Sequence, residues 1–355
     1  MAKAKVAKAS NKRAVARKTK VLPAHIETKK QAKKPTRAAS KHWSVVSFFA
    51  GCGGLDLGFL GGFDYNGLNH KALPFNILQA YDFDQKAIET YRLNIDEHAS
   101  VKDLSNFKPQ DIPAADVLIG GFPCQDFATC GPRRGLDSER GRLYKALIKY
   151  AKVHKPKMVI GENVPGLANI AGGKILKQIV SEIGALGYRV QVWTMYGPDY
   201  GVPQSRTRIF IVCVRNDLEG FPIQPKPTHS DKYRTIKWAI KDLESLDCET
   251  IVPNQSQYFM ASKAKNGNGQ GDEVSRADEP GYTVRANAKS RVQFHYSLDR
   301  RLTVRECARL QTFPDDFVFP HSATSNIMQI GNAVPPMLAH IVATSITEWL
   351  KKAGV

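Results

Sequence analysis

The chain has 355 residues and a formal net charge of +18, a balance that agrees with a polyanionic partner. Residues 1 to 40 hold 13 Lys/Arg against one acid, Glu27, so twelve of those charges lie in a tail and the rest of the chain is only mildly basic. Six cysteines without a Cys-x-x-Cys pair argue against structural zinc and for a reducing compartment, and no stretch nears the roughly 20 apolar residues of a membrane helix.

Taken in chain order, residues 1–40 are rich in alanine and lysine, and are expected to be disordered alone and drawn to polyanions. They hold no apolar run of the signal-peptide kind, and lysine outnumbers arginine, against a transit peptide. From about residue 41 to 222 strands alternate with helical patterns, which predicts an α/β fold with a doubly wound, mostly parallel sheet. Residues 44–49 read as a strand running into Gly51-Cys52-Gly53-Gly54, whose missing side chains let a ligand approach the backbone. Residues 68–75 read as a long connection without an assigned role. A second strand over 77–81 ends in Asp82, and Asp84 caps a helix with Ala87, Ile88 and Tyr91 on one face.

The apolar run 116–120 reads as a central parallel strand, and it leads into Gly121-Phe122-Pro123-Cys124-Gln125-Asp126. Pro123 restrains a thiol on a turn just past a strand, where open α/β sheets place their chemistry. A strand over 157–161 delivers Glu162-Asn163-Val164-Pro165 to the same edge. Gln204-Ser205-Arg206-Thr207-Arg208 leads into a strand over 209–214 whose two-residue period sets Arg206 and Arg208 on one face. Each piece has a plain alternative: a buried apolar cysteine, an ordinary turn, a helix cap, a solvated strand end. All four at one sheet edge favour a site. A nicotinamide-type fingerprint fits poorly, because its third glycine position falls on Asp56 and Asp82 lies beyond the usual spacing. From Phe221 the proline content jumps, and the stretch to about 295 is polar and glycine-bearing; Gly267–Gly271 reads equally as a surface turn or a base contact. The chain closes on a helix over roughly 335–352.

These motifs, in this order from about Trp43 to the C-terminus, resemble the DNA (cytosine-5)-methyltransferases of bacterial restriction-modification systems. The resemblance rests on Phe49-Ala50-Gly51-Cys52-Gly53-Gly54, Pro123-Cys124-Gln125, Glu162-Asn163-Val164, Gln204-x-Arg206-x-Arg208, Arg301–Glu306 with Arg309–Pro314, and Gly331-Asn332-Ala333-Val334-Pro335. It implies a Rossmann-like methyltransferase sheet with a second, smaller target-recognition domain. The expected organisation is a tail over 1–40, a catalytic and cofactor-binding domain over 41–222 completed by 331–355, and a recognition domain and hinge over 223–330.

The resemblance makes Cys124 the thiolate that adds to carbon 6 of cytosine, Glu162 the acid at nitrogen 3, Arg208 the ligand of the carbonyl oxygen and Arg206 its ordering neighbour. It names no unambiguous base for the carbon-5 proton. It places S-adenosylmethionine, leaving as S-adenosylhomocysteine, among Phe49, Gly51, Cys52, Gly53, Gly54, Leu55, Asp82, Phe83, Asp103, Leu104, Pro123 and Asn332, with Asp82 at the ribose and Phe83 on adenine. Phe83 stands where tryptophan is common, Asp82 where glutamate is, and Ala128 where serine often is; Cys52 is unusual in the loop. Double-stranded DNA is the expected partner, with a cognate restriction endonuclease on the same site, no membrane, no metal, a monomeric state and a cytoplasmic, nucleoid-associated location in a bacterium. An RNA cytosine methyltransferase lacks support, since its Cys-Phe-Thr element is absent. A catalytically dead DNA binder would need none of Cys124, Glu162 and Arg208.

Overall fold

A computed structural model describes residues 42–123, 143–245, 252–258, 273–286 and 292–355. Cys124 and the tail 1–40 therefore lie outside the described residues. The first strand, β1 (Trp43–Phe48), is buried along its length apart from Ser44 and stops where Phe49 turns left-handed at φ 55. That turn lets Ala50 N donate to Tyr81 O at 3.0 Å, so the strand ends one residue earlier than its apolar pattern suggests. Helix α1 (Gly54–Leu60) follows.

Residues 63–70 form a hairpin, β2 (Phe63–Tyr65) and β3 (Leu68–His70), rather than an irregular connection. Its turn is Asn66-Gly67, with φ of 47 and 75, the pair that a tight primed hairpin turn requires. Next come β4 (Phe75–Asp82), α2 (Gln85–Asn94) and β5 (Ser100–Val101). The Asp84 carboxylate caps α2 by accepting from Lys86 N and Ala87 N, and Ala87, Ile88, Thr90 and Tyr91 are buried. The centre of the sheet is completed by β6 (Val117–Gly121), α3 (Lys145–His154) and β7 (Met158–Asn163). The short α4 (Gly166–Asn169), α5 (Lys174–Ala185), β8 (Tyr188–Tyr196) and β9 (Thr207–Arg215) follow.

The strands lie in the order β5-β4-β1-β6-β7-β9-β8. The first five are parallel, whereas β9 runs antiparallel to both β7 and β8. The chain starts in the middle, winds outward to β5, then returns to build from β6, so the strand order reverses between β1 and β6. In an open α/β sheet the crevice beyond that reversal is where ligands bind. One face of the sheet is covered by α1 and by α9 (Pro336–Lys352), the other by α3 and α5. A third apolar cluster joins α6 (Ile236–Ile240), α7 (Val304–Leu310) and α8 (Ala323–Asn332) with Cys52. Helix α7 starts on a capping box in which Thr303 and Glu306 satisfy each other's backbone donors.

Candidate active site at the carboxyl edge of the sheet

The loop after β1 is held open by its glycines. Gly51 and Gly53 have φ of 56 and 95, conformations that side chains resist, and no atom lies within 4 Å of where a Cβ on Gly51 would stand. Gly54 is needed for a different reason: a Cβ there would stand 2.4 Å from Val334 O, so the loop packs directly on the Gly331–Pro335 segment. Asp82, at the end of β4, ties the loop down. Its Oδ2 accepts from Gly51 N at 2.8 Å and its Oδ1 from Asp84 N at 2.9 Å. Burial pushes this carboxyl above the usual range, and the backbone donors Asp84, Gly51 and Phe83 pull it back only in part. Each oxygen keeps further acceptor capacity.

Phe83, beside it, is 70% exposed, a bare aromatic face at a sheet edge. Asp103 is exposed and accepts from Ser105 N, while Leu104 is buried in the core. Leu55 is likewise a core residue, and Asn332 is exposed at the end of α8. Cys52 points away from the open side: its thiol donates to Gln329 O at 3.8 Å, and burial pushes it up, so it is an inert thiol. An open glycine cradle, a carboxylate at a strand end and an exposed aromatic ring fit a nucleoside-bearing cofactor.

Beyond β6 the described chain runs to Pro123. Asn163 Nδ2 donates to Phe122 O at 2.9 Å, tying this turn to the end of β7. Glu162 comes closest: its Oε2 lies 3.0 Å from where a Cβ on Gly121 would stand, so a side chain there would press on the carboxyl. Glu162 on β7 faces Phe210 of β9, and its carboxylate reaches Arg208, two residues earlier on β9, in an ion pair of 2.7 Å between Oε1 and Nε. Both are buried, at 7% and 9% exposure. Burial raises the Glu162 carboxyl from its ordinary value, and the Arg208 and Arg206 guanidiniums oppose that rise without cancelling it. The site thus holds a carboxyl with heightened proton affinity beside a fixed cation.

Arg206 differs from Arg208 despite the shared face. Its guanidinium donates to Val284 O at 3.0 Å, Gly331 O at 2.7 Å and Ala333 O at 3.0 Å, gripping the carboxyl end of α8 and the 281–286 segment. Around it lie residues that the sequence patterns did not single out as site residues. Gln204 receives Val284 N at 2.9 Å and donates to Leu310 O at 2.8 Å and to Gln311, whose own amide donates to Ala333 O. Thr312 adopts φ 66, and its hydroxyl accepts from Met337 N at 3.1 Å. Gln204 and Gln311 fall within the quoted motifs, but only the fold shows that they meet. Among the described residues, no group of three or more His, Cys, Asp or Glu is placed to hold a metal ion.

The family model described as C-5 cytosine-specific DNA methylase matches residues 43–348. The chain is 33% identical to Type II methyltransferase M.BspRI of Lysinibacillus sphaericus, over 87% of this chain and 82% of that protein. It is 35% identical to Type II methyltransferase M.NgoFVII of Neisseria gonorrhoeae, over 87% of each. Among solved structures it resembles a candidate DNA modification methyltransferase encoded within an Escherichia coli prophage, at 23% identity and a TM-score of 0.69, covering 87% of this chain and 99% of that one. The Schizosaccharomyces pombe Dnmt2 methyltransferase follows at 18% and 0.64, over 88% and 100%. At these identities the two structures speak to the fold alone.

Proposed function

This chain belongs to the C-5 cytosine-specific DNA methylase family, and from that premise we propose how its residues divide the work. It is a DNA cytosine-5 methyltransferase. Carbon 5 of cytosine is too weak a nucleophile to take a methyl group unaided. Cys124 therefore acts first: its thiolate adds to carbon 6, the 5,6 double bond opens, and electron density moves to carbon 5 and toward nitrogen 3 and the carbonyl oxygen. Glu162 hydrogen-bonds or protonates nitrogen 3, which its raised proton affinity suits, and Arg208 balances charge at the carbonyl oxygen. After methylation a base takes the carbon-5 proton, the carbon 5–hydrogen pair re-forms the 5,6 double bond, and the carbon 6–sulfur pair leaves on sulfur as the thiolate. The single observation that carries this reading is the buried 2.7 Å pair of Glu162 and Arg208, set against Gly121 on the strand that leads to Cys124.

S-adenosylmethionine, when bound, supplies the electrophilic methyl group. Residues suited to hold it are Gly51, Gly53 and Gly54 in the loop with Phe49 and the Cys52 backbone, Asp82 at the ribose, and Phe83 at adenine. Asp103, Leu104, Leu55, Pro123 and Asn332 complete the proposed surround. A duplex cytosine cannot enter such a pocket while stacked, so the base must be flipped out, at a cost of a few kcal/mol.

Residues 41–222, with 331–355, form the catalytic domain in this reading, and 223–330 the recognition domain and hinge. The relatives' Type II names favour a modification methyltransferase of a restriction-modification system. In this reading it is paired with an endonuclease of the same site and acts as a monomer in a bacterial cytoplasm. Among the described residues no helix is long and apolar enough to cross a membrane. Bisulfite sequencing of DNA from cells expressing the chain tests the reading. Protected cytosines confined to one short word are expected; DNA without protected cytosines, or methylation confined to RNA, would overturn it.

A further inference from the structure

Beneath the glycine loop lies a titratable network that methyl transfer does not use. Asp56, in the first turn of α1, is completely buried. Its Oδ2 accepts from Ser47 Oγ of β1 at 3.0 Å, and its Oδ1 from the Tyr91 hydroxyl of α2 at 3.0 Å. The same hydroxyl lies 3.3 Å from His98 Nε2, and His98 Nδ1 lies 3.4 Å from the exposed Asp96. The His98 side chain is 18% exposed, so the row Asp56, Tyr91, His98 runs from under the loop to solvent. Tyr91 is also the floor of the loop: a Cβ on Gly53 would stand 2.9 Å from its ring. Besides these partners, the groups facing Asp56 are Asp82 on β4 and the Cys52 thiol, and both carboxyls bear on that thiol. Burial pushes Asp56 up to about 7, with the Ser47 and Tyr91 hydroxyls opposing the rise. Near neutrality the carboxyl therefore divides between its two forms.

We propose that Asp56, wired through Tyr91 to His98, gives the loop a charge-based preference for the sulfonium methyl donor over its neutral thioether product. The inference rests on S-adenosylmethionine binding at this loop. When the methyl leaves, its bonding pair stays on sulfur, so the product carries one positive charge less than the donor. An ionised Asp56 attracts the former and not the latter; a protonated Asp56 distinguishes neither. The proton leaves by a relay: Asp56 Oδ1 gives it to the Tyr91 oxygen, Tyr91 passes its own to His98 Nε2, and His98 releases one to water. Product release is thereby favoured once the charge is gone.

Calorimetry of the full chain with S-adenosylmethionine and with S-adenosylhomocysteine, from pH 6 to 8.5, tests the inference. The ratio of donor to product affinity should rise about tenfold, the order of one interior charge pair at protein-like dielectric. Donor binding near pH 6.5 should release protons, read from buffers of different ionisation enthalpy. In Asp56→Asn the ratio should stay flat. Should that variant not fold, Tyr91→Phe serves: loss of a donor to the ionised form moves the midpoint to higher pH. Parallel donor and product profiles in the wild type, a wild-type rise in folded Asp56→Asn, or an unmoved midpoint in Tyr91→Phe would each overturn the inference. Asp82→Ala, run alongside, separates the two levels. Unchanged affinity for both ligands removes the loop as the cofactor site and this inference with it, whereas weakened affinity with parallel profiles removes the charge preference alone.

Discussion

Glu162 meets two opposed demands, pairing with Arg208 while keeping affinity for a proton, and its enclosure is what reconciles them. Burial penalises the anion more than the neighbouring guanidiniums reward it. Glu162→Gln keeps the side chain's size but cannot supply a proton and leaves Arg208 buried without its counter-charge. Single-turnover methylation should fall roughly 100- to 1,000-fold, within the span of general acid catalysis, while duplex affinity changes little. Rapid-quench kinetics would show this, and an undiminished rate would remove the carboxyl from the chemistry. The contrast between Arg206 and Arg208 marks how far a residue pattern reaches. Period two sets both on one face, yet the acceptors of Arg206 come from residues 78 to 127 positions away, which no local pattern encodes.

At the scale of elements, Thr312 is the most constrained link. A β-branched residue at φ 66 is disfavoured, and it persists here because its hydroxyl caps the N-terminus of α9, where the N-cap residue Pro335 offers no side-chain cap. Thr312→Val keeps the branching and removes the cap, so it should cost about 1 kcal/mol of stability. Chemical denaturation measures it, and a loss near zero would mean that solvent caps the helix equally well. The parallel strands, the α2 cap and the closing helix were legible because each carries its own signature: apolar runs, Asp84, a proline start and a lysine finish. The β2–β3 hairpin was missed although Asn66-Gly67 signals such a turn, because its three-residue strands are shorter than the runs that an alternation reading weighs. The antiparallel placement of β9 was not legible, since apolar strands read alike in either direction. The open loop was visible as glycines; that Cys52 turns from it into α8 depends on a contact 277 residues distant.

At the scale of the molecule, two ledges of charge set the response to conditions. His70 stacks on Phe63 with ring centroids 4.5 Å apart and faces His340 at 5.3 Å. Burial, with His340 adding to it, lowers His70 to about 4 from 6.5. Between those values the unfolded chain binds more protons than the folded one, so the stability this histidine contributes above about pH 6.5 drains away as pH falls through 4. His70→Gln should therefore lose less melting temperature between pH 7 and 5 than the wild type, and parallel losses would place the acid sensitivity elsewhere. The second ledge is the tail. Thirteen of the 51 basic residues lie in residues 1–40, which hold no catalytic motif. Deleting them should keep the methylated word while flattening the salt dependence of duplex affinity by roughly three to four units of log-log slope if four contact phosphates. Equal slopes would make the tail an appendage with another task.

The whole account turns on a covalent bond between one thiol and one cytosine. Mass spectrometry of the enzyme incubated with S-adenosylmethionine and a target duplex carrying 5-fluorocytosine reads that bond directly, because fluorine at carbon 5 cannot leave as the proton does. The wild type should accumulate a protein–DNA adduct mapping to the peptide that contains Cys124, and Cys124→Ser should form none while still binding the duplex. An adduct on another residue, or one undiminished in the serine variant, would contradict it.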